Sequence, residues 1–337
     1  MMKKTIYELA KELNFAPSTI SKALNNNPGI SEEKRKMIVE YARKVGYVPN
    51  QNARTLKAKV SNTIGVLFSE ELDIGLEHPF FSPVLQSFKK TIEAKGFEMT
   101  FIVSKIGDYK TNYLDYCRNR NISGVLIAAG KSSDHFLDDI IQSELRVVST
   151  DYVTDDVLTV ISDNSNGIKE AFAYAHEMGA KSVGLLMGPY SAYSFTERFT
   201  SFFKYQHKFN FEYRDEWYTQ SESYNFESGY AAMKKMIERC DKLPDVIFAV
   251  SDLLAMGAIV ALEDSNIKVP EQVSVFGFDD IEYAKYYKPS ISTIRQDTKR
   301  IGETAANLLI DMLVNDTDYK EKMVRIPTKF IKRNSMK

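Results

Sequence analysis

The chain holds two cysteines, Cys117 and Cys240, in 337 residues. That is too few for a disulfide-built scaffold, and neither has metal-ligand spacing around it. Both are expected as free core thiols in a reducing compartment. The four histidines, His78, His135, His176 and His207, are scattered. Without H-x-x-x-H or H-E-x-x-H, a zinc site has nothing to rest on. No G-x-G-x-x-G marks a dinucleotide site, and no G-x-S-x-G marks a hydrolase nucleophile. Gly130-Lys131-Ser132 imitates the end of a phosphate-binding loop, but Val125 stands where the first glycine is needed. The residues between them read as a buried strand. Long apolar runs are also missing. The longest helical one, 253–262, is too short for a bilayer and suits a buried helix. The first apolar residues already lie in an amphipathic pattern, so no signal peptide is expected. No catalytic set, metal or cofactor is expected.

What is present is a basic head. Residues 1–60 carry 12 Lys and Arg against 5 Asp and Glu, a net of +7. The whole chain has a net of −1, which leaves −8 for the rest. A basic head on an acidic body fits a protein whose head alone meets a polyanion. Residues 5–25 read as two short helices joined by a tight turn. Ile6, Leu9, Ala10 and Leu13 form one apolar face, and Thr5 with Glu8 makes a capping box. Asn14 tolerates the left-handed conformation of a helix end, and Pro17 suits the first position of a second helix. Ile20, Ala23 and Leu24 face inward. Pro17, Ser18, Ser21, Lys22 and Asn25 face outward, with the short hydrogen-bonding chains that suit the floor of a DNA major groove. Thr5, Tyr7 and Thr19 complete the candidate contacts. The plainer alternative is a helical hairpin with a solvated face. Ser31 is expected to cap a third helix whose Met37, Ile38, Tyr41 and Val45 close a small core.

The pieces TIYELA, STISKALN, GYVPNQNARTL and SNTIGV, in this order and spacing, resemble the lactose-repressor/galactose-repressor (LacI/GalR) family of bacterial transcription regulators. The resemblance runs over essentially the whole chain. It implies a helix-turn-helix head over 1–47 and a hinge segment over 48–61 that folds when two copies meet on DNA. In the hinge, Leu56 matches the leucine that family members wedge into the minor groove, unstacking a base step and bending the duplex. The alternative is that Leu56 packs on its own domain. Asn50 and Ala53 lie near it, and Arg54 and Lys57 would meet phosphates. Two departures affect base preference. Ala16 replaces a phosphate-bonding serine, and Lys22 replaces an arginine, giving a point charge in place of a planar fork.

From Asn62 the pattern alternates. Strands are expected at 63–68, 99–103, 125–129, 147–149, 183–187, 246–250 and 273–276. Helices are expected at 80–95, 109–120, 136–143, 167–178, 194–208, 227–239, 253–265 and 300–313. Such alternation argues for doubly wound parallel sheets. The family resemblance implies an α/β two-lobed, periplasmic-binding-protein-like domain over 62–337. One lobe would take about 62–160 and 293–322, the other about 161–292 and 323–337. The implied ligand cleft lies at strand ends. Its candidates are Phe80 and Phe81 as wall, Asp151, a hydroxyl-binding Arg198, Tyr224 as a stacking ring, Ser251, Asp252, Asp279 and Gln296. Phe80 and Phe81 are as often core, and Asp252 is as readily a helix cap. Ser251 stands where many members carry Asn.

The reading is a cytoplasmic, homodimeric repressor of LacI/GalR type. It would bind a palindromic operator, because one head reads too few base pairs. A small-molecule effector, a sugar on the family resemblance, would bind between the lobes. Whether it releases or strengthens DNA binding stays open, and a variant with a partner protein or purine as co-effector is not excluded. The rival readings are a sugar-binding transport receptor, and a sugar-modifying enzyme with Asp252 or Asp279 as acid/base.

Overall fold

Thr5 starts the first helix, Ile6–Leu13, through the reciprocal capping box: its hydroxyl accepts from the Glu8 N–H, and Glu8 accepts from the Thr5 N–H at 2.6 Å. Asn14 ends it at φ +57°. These details come from a computed structural model, which describes residues 4–24, 27–47, 61–68, 75–130, 134–189 and 193–337. Asn25 and the hinge candidates Asn50, Ala53, Arg54, Leu56 and Lys57 lie outside the described residues. The chain forms two compact units, Met1–Ser61 and Asn62–Lys337.

In the first unit, helices Pro17–Leu24 and Glu32–Lys44 follow the first. Leu9, Ala10, Ile20, Ala23, Ile38 and Ala42 make the core, with Leu24 and Val45 packed against it. Two expectations change here. Ser31 occupies the cap position, but its side chain makes no capping hydrogen bond. Met37 is 44% exposed, because Ile38 and Ala42 supply the buried stripe. Tyr41 instead ties the third helix to the first by donating its phenol to Glu12 at 3.1 Å.

The second unit is built on two six-stranded sheets. The first runs, edge to edge, through Met323–Ile326, Leu158–Ser162, Arg146–Ser149, Ile122–Ala129, Thr63–Phe68 and Glu98–Phe101, all parallel. The second runs through Lys329–Ile331, Ser292–Arg295, Ser274–Asp279, Val246–Ala249, Val183–Met187 and Tyr218–Gln220. It is parallel except for the antiparallel edge at Lys329–Ile331. Central strands such as Leu158–Ser162 and Val183–Met187 are buried throughout, the pattern of a sheet covered on both faces. Helices Phe81–Ala94 and Thr298–Val314 cover the first sheet, and Asn164–Glu177 the second. Helices Phe226–Arg239 and Asp252–Asp264 pack so closely that a Cβ on Gly257 would lie 2.1 Å from the Phe226 carbonyl oxygen.

The chain crosses between lobes at 162–164, 295–298 and 326–329. The expected borders therefore shift. Leu158–Ser162 and Met323–Ile326 belong to the first lobe, and Ser292–Arg295 to the second. The reason is pairing: Phe276 registers with Ser292, and Met323 with Thr159. An apolar run marks a strand but not the sheet edge it joins. The expected helix over 109–120 also changes. Lys105–Ile106 and Tyr109–Lys110 form a small antiparallel hairpin, and the helix is Tyr113–Asn119, capped by Asn112, which accepts from the Asp115 N–H at 2.7 Å.

Candidate functional site

The first candidate surface is on the head. Tyr7 is 72% exposed, and Thr5, Pro17, Ser18 and Lys22 are exposed beside the half-buried Thr19 and Ser21. The core side of the second helix is sealed by Ile20 and Ala23, so its other face is left polar and short-chained. Such a face suits the edges of bases in a major groove.

The second candidate site lies where the strands of both lobes end. Arg198 comes from helix Tyr193–Lys208 and is 4% exposed. Its Nε donates to Asn164 Oδ1 at 3.0 Å and its Nη1 to the Val250 carbonyl at 2.8 Å. Its Cζ sits 3.7 Å from the centre of the Phe278 ring, a cation–π contact. Its Nη2 is 3.7 Å from Asp279 Oδ1. Asp279 ends its strand and also accepts from Gln296 Nε2 at 2.7 Å. Asp279 and Asp280 both have positive φ, +116° and +58°. Such conformations cost about 1–3 kcal/mol each and persist only where the surroundings impose them. Here Arg295 at 2.6 Å and Arg333 at 2.5 Å clamp Asp280.

The other lobe contributes Asp151, which accepts a hydrogen bond from the Ser194 hydroxyl, and His78. Burial pushes Asp279 up to about 6, against the pull of Arg198 and the Gln296 amide. Burial also raises Asp151 to about 6. The Ser194 hydrogen bond and Arg198 oppose that rise, and Asp279 reinforces it. Burial, and then the charge of Arg198, press His78 down to about 4. These are desolvated groups that feel one another across two lobes, the electrostatic mark of a candidate binding site.

The sequence candidates divide. Asp151, Arg198, Asp279 and Gln296 come together. Tyr224 does not offer an open ring: it is 3% exposed, stacks on Phe195 with centroids 3.9 Å apart, and donates its phenol to the Pro189 carbonyl. Ser251 caps helix Asp252–Asp264 by accepting from the Leu254 N–H at 3.3 Å. Asp252 is a sealed strut with no exposed surface, accepting from Thr293 at 2.5 Å and the Ile281 N–H at 2.9 Å. Burial, then Asp279, raises its pKa well above the carboxylate range. Phe81 is buried edge-on against Phe68, His78 and Phe80, and Phe80 is half-buried. Sequence reasoning missed Asn164, Ser194 and Phe195. Ser194 and Phe195 lie four and three residues before Arg198 on one helix, a spacing that places them on its face. Asn164 follows the capping Asp163 and carries no comparable signal. Among the described residues no cluster of His, Cys, Asp and Glu could hold a metal ion, and no helix is long and apolar enough to cross a membrane.

Residues 5–50 match the family model of bacterial regulatory proteins of the lacI family, and residues 172–336 match a periplasmic binding protein-like domain. The HTH-type transcriptional repressor PurR of Serratia proteamaculans is 28% identical over 337 residues, covering 98% of this chain and 96% of the relative. The "Probable HTH-type transcriptional repressor ExuR" of Bacillus subtilis is 28% identical over 335 residues, covering 99% and 98%. Among solved structures, the lac repressor dimer bound to operator and the anti-inducer ONPF superimposes with a TM-score of 0.83 at 21% identity, over 99% of each chain. A complex of the transcriptional regulator CelR with cellobiose gives 0.74 at 23% identity, over 99% of this chain and 100% of the other. A helix-turn-helix head followed by a two-lobed periplasmic-binding-protein-like domain defines a class of DNA-binding transcription regulators. Within that class the chain is similar to the LacI/GalR family in both its head and its ligand-binding domain.

Proposed function

We propose that this protein is a repressor that binds a palindromic operator as a homodimer in the cytoplasm, and that a sugar seated between its lobes changes operator affinity. In this reading the head over 1–47 reads the operator, the hinge over 48–61 inserts Leu56, and the domain over 62–337 senses the ligand. The observation that carries it is the meeting of Arg198 and Asp279 from one lobe with Asp151 from the other, with Gln296 at a crossing between them. A guanidinium and two carboxylates at strand ends suit vicinal hydroxyls. They also give a ligand a reason to prefer one lobe arrangement, which coupling to DNA requires. The rival enzyme reading loses ground at Asp252, whose carboxylate is fully engaged by Thr293 and Ile281.

The test begins with a thermal-shift screen of sugars, since ligand at about 100 Kd adds roughly 2.7 kcal/mol. Operator binding is then titrated with the sugar that shifts the protein, for wild type and Arg198→Ala. Charged hydrogen bonds contribute about 1.5–3 kcal/mol each, so the ligand midpoint should rise roughly 10- to 150-fold. Ligand-free operator binding should persist. Arg198 also holds Asn164 and the Val250 carbonyl, so unfolding of the variant is followed in parallel. An unchanged midpoint in a folded variant removes Arg198 from the site.

A further inference from the structure

Several ion pairs of the second unit stay within one lobe. Arg198 with Asp279, and Arg295 and Arg333 with Asp280, join parts of the second lobe, and Arg146 with Asp316 joins parts of the first. Arg325 with Glu197 crosses from one lobe to the other. Arg325 stands on strand Met323–Ile326 of the first lobe, at the start of the crossing over 326–329. Glu197 stands on helix Tyr193–Lys208 of the second lobe. Arg325 Nη1 donates to Glu197 Oε1 at 2.6 Å, and its Nη2 donates to the Tyr193 hydroxyl at 3.3 Å. Tyr193 and Glu197 are four residues apart and share one face of their helix. The other oxygen of Glu197 accepts from Asn164 Nδ2 at 2.7 Å. Asn164 ends the crossing over 162–164, and its Oδ1 accepts from Arg198 Nε at 3.0 Å. One carboxylate therefore ties two of the three crossings together and sits a single amide away from Arg198.

We infer that Glu197 and Arg325 form a latch at the hinge that holds the two lobes in their present arrangement. A rotation at the crossings carries Arg325 with one lobe and Glu197 with the other. A contact made in only one arrangement shifts the balance toward it by the free energy of that contact. The exposure of the pair sets its strength. The Glu197 side chain is 15% exposed and that of Arg325 is 37% exposed. A pair so placed is drier than a surface ion pair and wetter than a buried one. The fork of Arg325 also reaches two acceptors with two different nitrogens, which fixes its direction as well as its charge. The latch acts without a ligand. It sets the lobe balance of the free protein, and so the differential affinity that any ligand must supply to change it.

The test measures the distance between the lobes in the full chain with nothing added. The crossings leave from strands at one side of each sheet, and Glu98–Phe101 and Tyr218–Gln220 are the opposite edges. Lys105 and Glu222 are exposed and follow those edges, so a hinge rotation moves them most. Nitroxide labels go on Lys105→Cys and Glu222→Cys in a Cys240→Ser background, since Cys117 is fully buried and can stay. Double electron–electron resonance then reads the distance distribution. Arg325→Gln and Glu197→Gln should each lower the ratio of near to far populations by about tenfold, between the effects of a surface pair and a buried pair. The double variant should move it no further than either single one, because both remove the same contact. Arg325→Lys keeps the charge without the fork and should fall between wild type and Arg325→Gln. Raising salt from about 0.05 M to about 0.5 M should move wild type toward the variants and leave Arg325→Gln in place, a test that needs no change at the pair itself. A distribution unchanged by Arg325→Gln and by salt overturns the latch, and so do additive shifts in the double variant. Urea unfolding followed at Trp217 confirms that each variant is folded. No sugar enters the measurement, so its failure leaves the sugar reading standing, and failure of the sugar screen leaves the latch standing.

Discussion

Replacing Asp279 with Asn removes a charge and almost no volume, and leaves an oxygen to accept from Gln296. The Asp279 side chain is 11% exposed, and its carboxyl titrates near 6 rather than 3.8. A raised acid keeps a proton in the folded protein that the unfolded chain has already released. Its contribution to stability is full below pH 3.8 and is lost as pH rises through about 6. Roughly two pH units at about 1.4 kcal/mol each come to about 3 kcal/mol. Asp279→Asn should therefore gain about 3 kcal/mol on wild type between pH 4 and pH 7. Asp151 adds to the effect with the same sign, because Asp279 is one of the groups that raise it. His78, depressed to about 4, contributes oppositely: its share is present above 6.5 and lost as pH falls through 4. That share is common to both proteins and largely cancels. The assay is urea unfolding at pH 4, 5, 6 and 7, followed by fluorescence of Trp217. It is the chain's one tryptophan, is 1% exposed, and packs in the same lobe, where its indole donates to the Lys242 carbonyl at 2.9 Å. Parallel stability curves for the two proteins would refute the assignment of Asp279 as a buried, ionising group. So would a variant that loses ground as pH rises.

Gly257→Ala should destabilise the second lobe by about 2–4 kcal/mol in the same assay, because its Cβ meets the Phe226 carbonyl and the Tyr230 amide with nowhere to go; a loss under 0.5 kcal/mol would show that the two helices can part. Leu56→Ala should weaken operator binding by about 1–3 kcal/mol and binding to random DNA by much less, since a wedge acts only on a bent, matched site; equal losses in gel-shift titrations would place Leu56 elsewhere. Operator affinity should fall steeply with salt, by about 0.9 in log K per log unit of salt for each phosphate neutralised, and deletion of residues 1–61 should abolish it. Specific binding by the truncated chain would sink the assignment of the head.

The head was legible because local chemistry decides it. Thr5, Glu8, Asn14 and Pro17 act within a few residues of themselves, and the capping box and left-handed turn form where they stand. The alternating sheets were legible for the same reason. The hairpin at 105–110 was hidden because Tyr109, Tyr113, Tyr116 and Cys117 fit a helical period. Gly107, at φ +59°, and the capping Asn112 were the contrary signals. The lobe borders were not legible, because sheet membership is settled by long-range pairing. In the cleft, spacing cannot separate an acid that faces a ligand from one that braces a helix. Asp279 and Asp252 both stand at strand ends, yet Thr293 and the Ile281 amide claim only the second. Tyr224 failed as an open stacking ring because Phe195, one turn before Arg198, already lies on it.

The three crossings also set a timetable. Met323–Ile326 closes an edge of the first sheet and Lys329–Ile331 an edge of the second. Both are synthesised more than 260 residues after the first unit ends at Ser61. At about 5–20 residues per second, the head emerges roughly 13–50 s before either lobe can be completed. During that interval the nascent chain carries a finished small domain and two open strand edges, the surfaces most prone to mispairing. Ribosome pausing and chaperone capture should therefore matter most between residues 62 and 331. A chain that stops short of 323 would keep an intact head joined to two unfinished sheets.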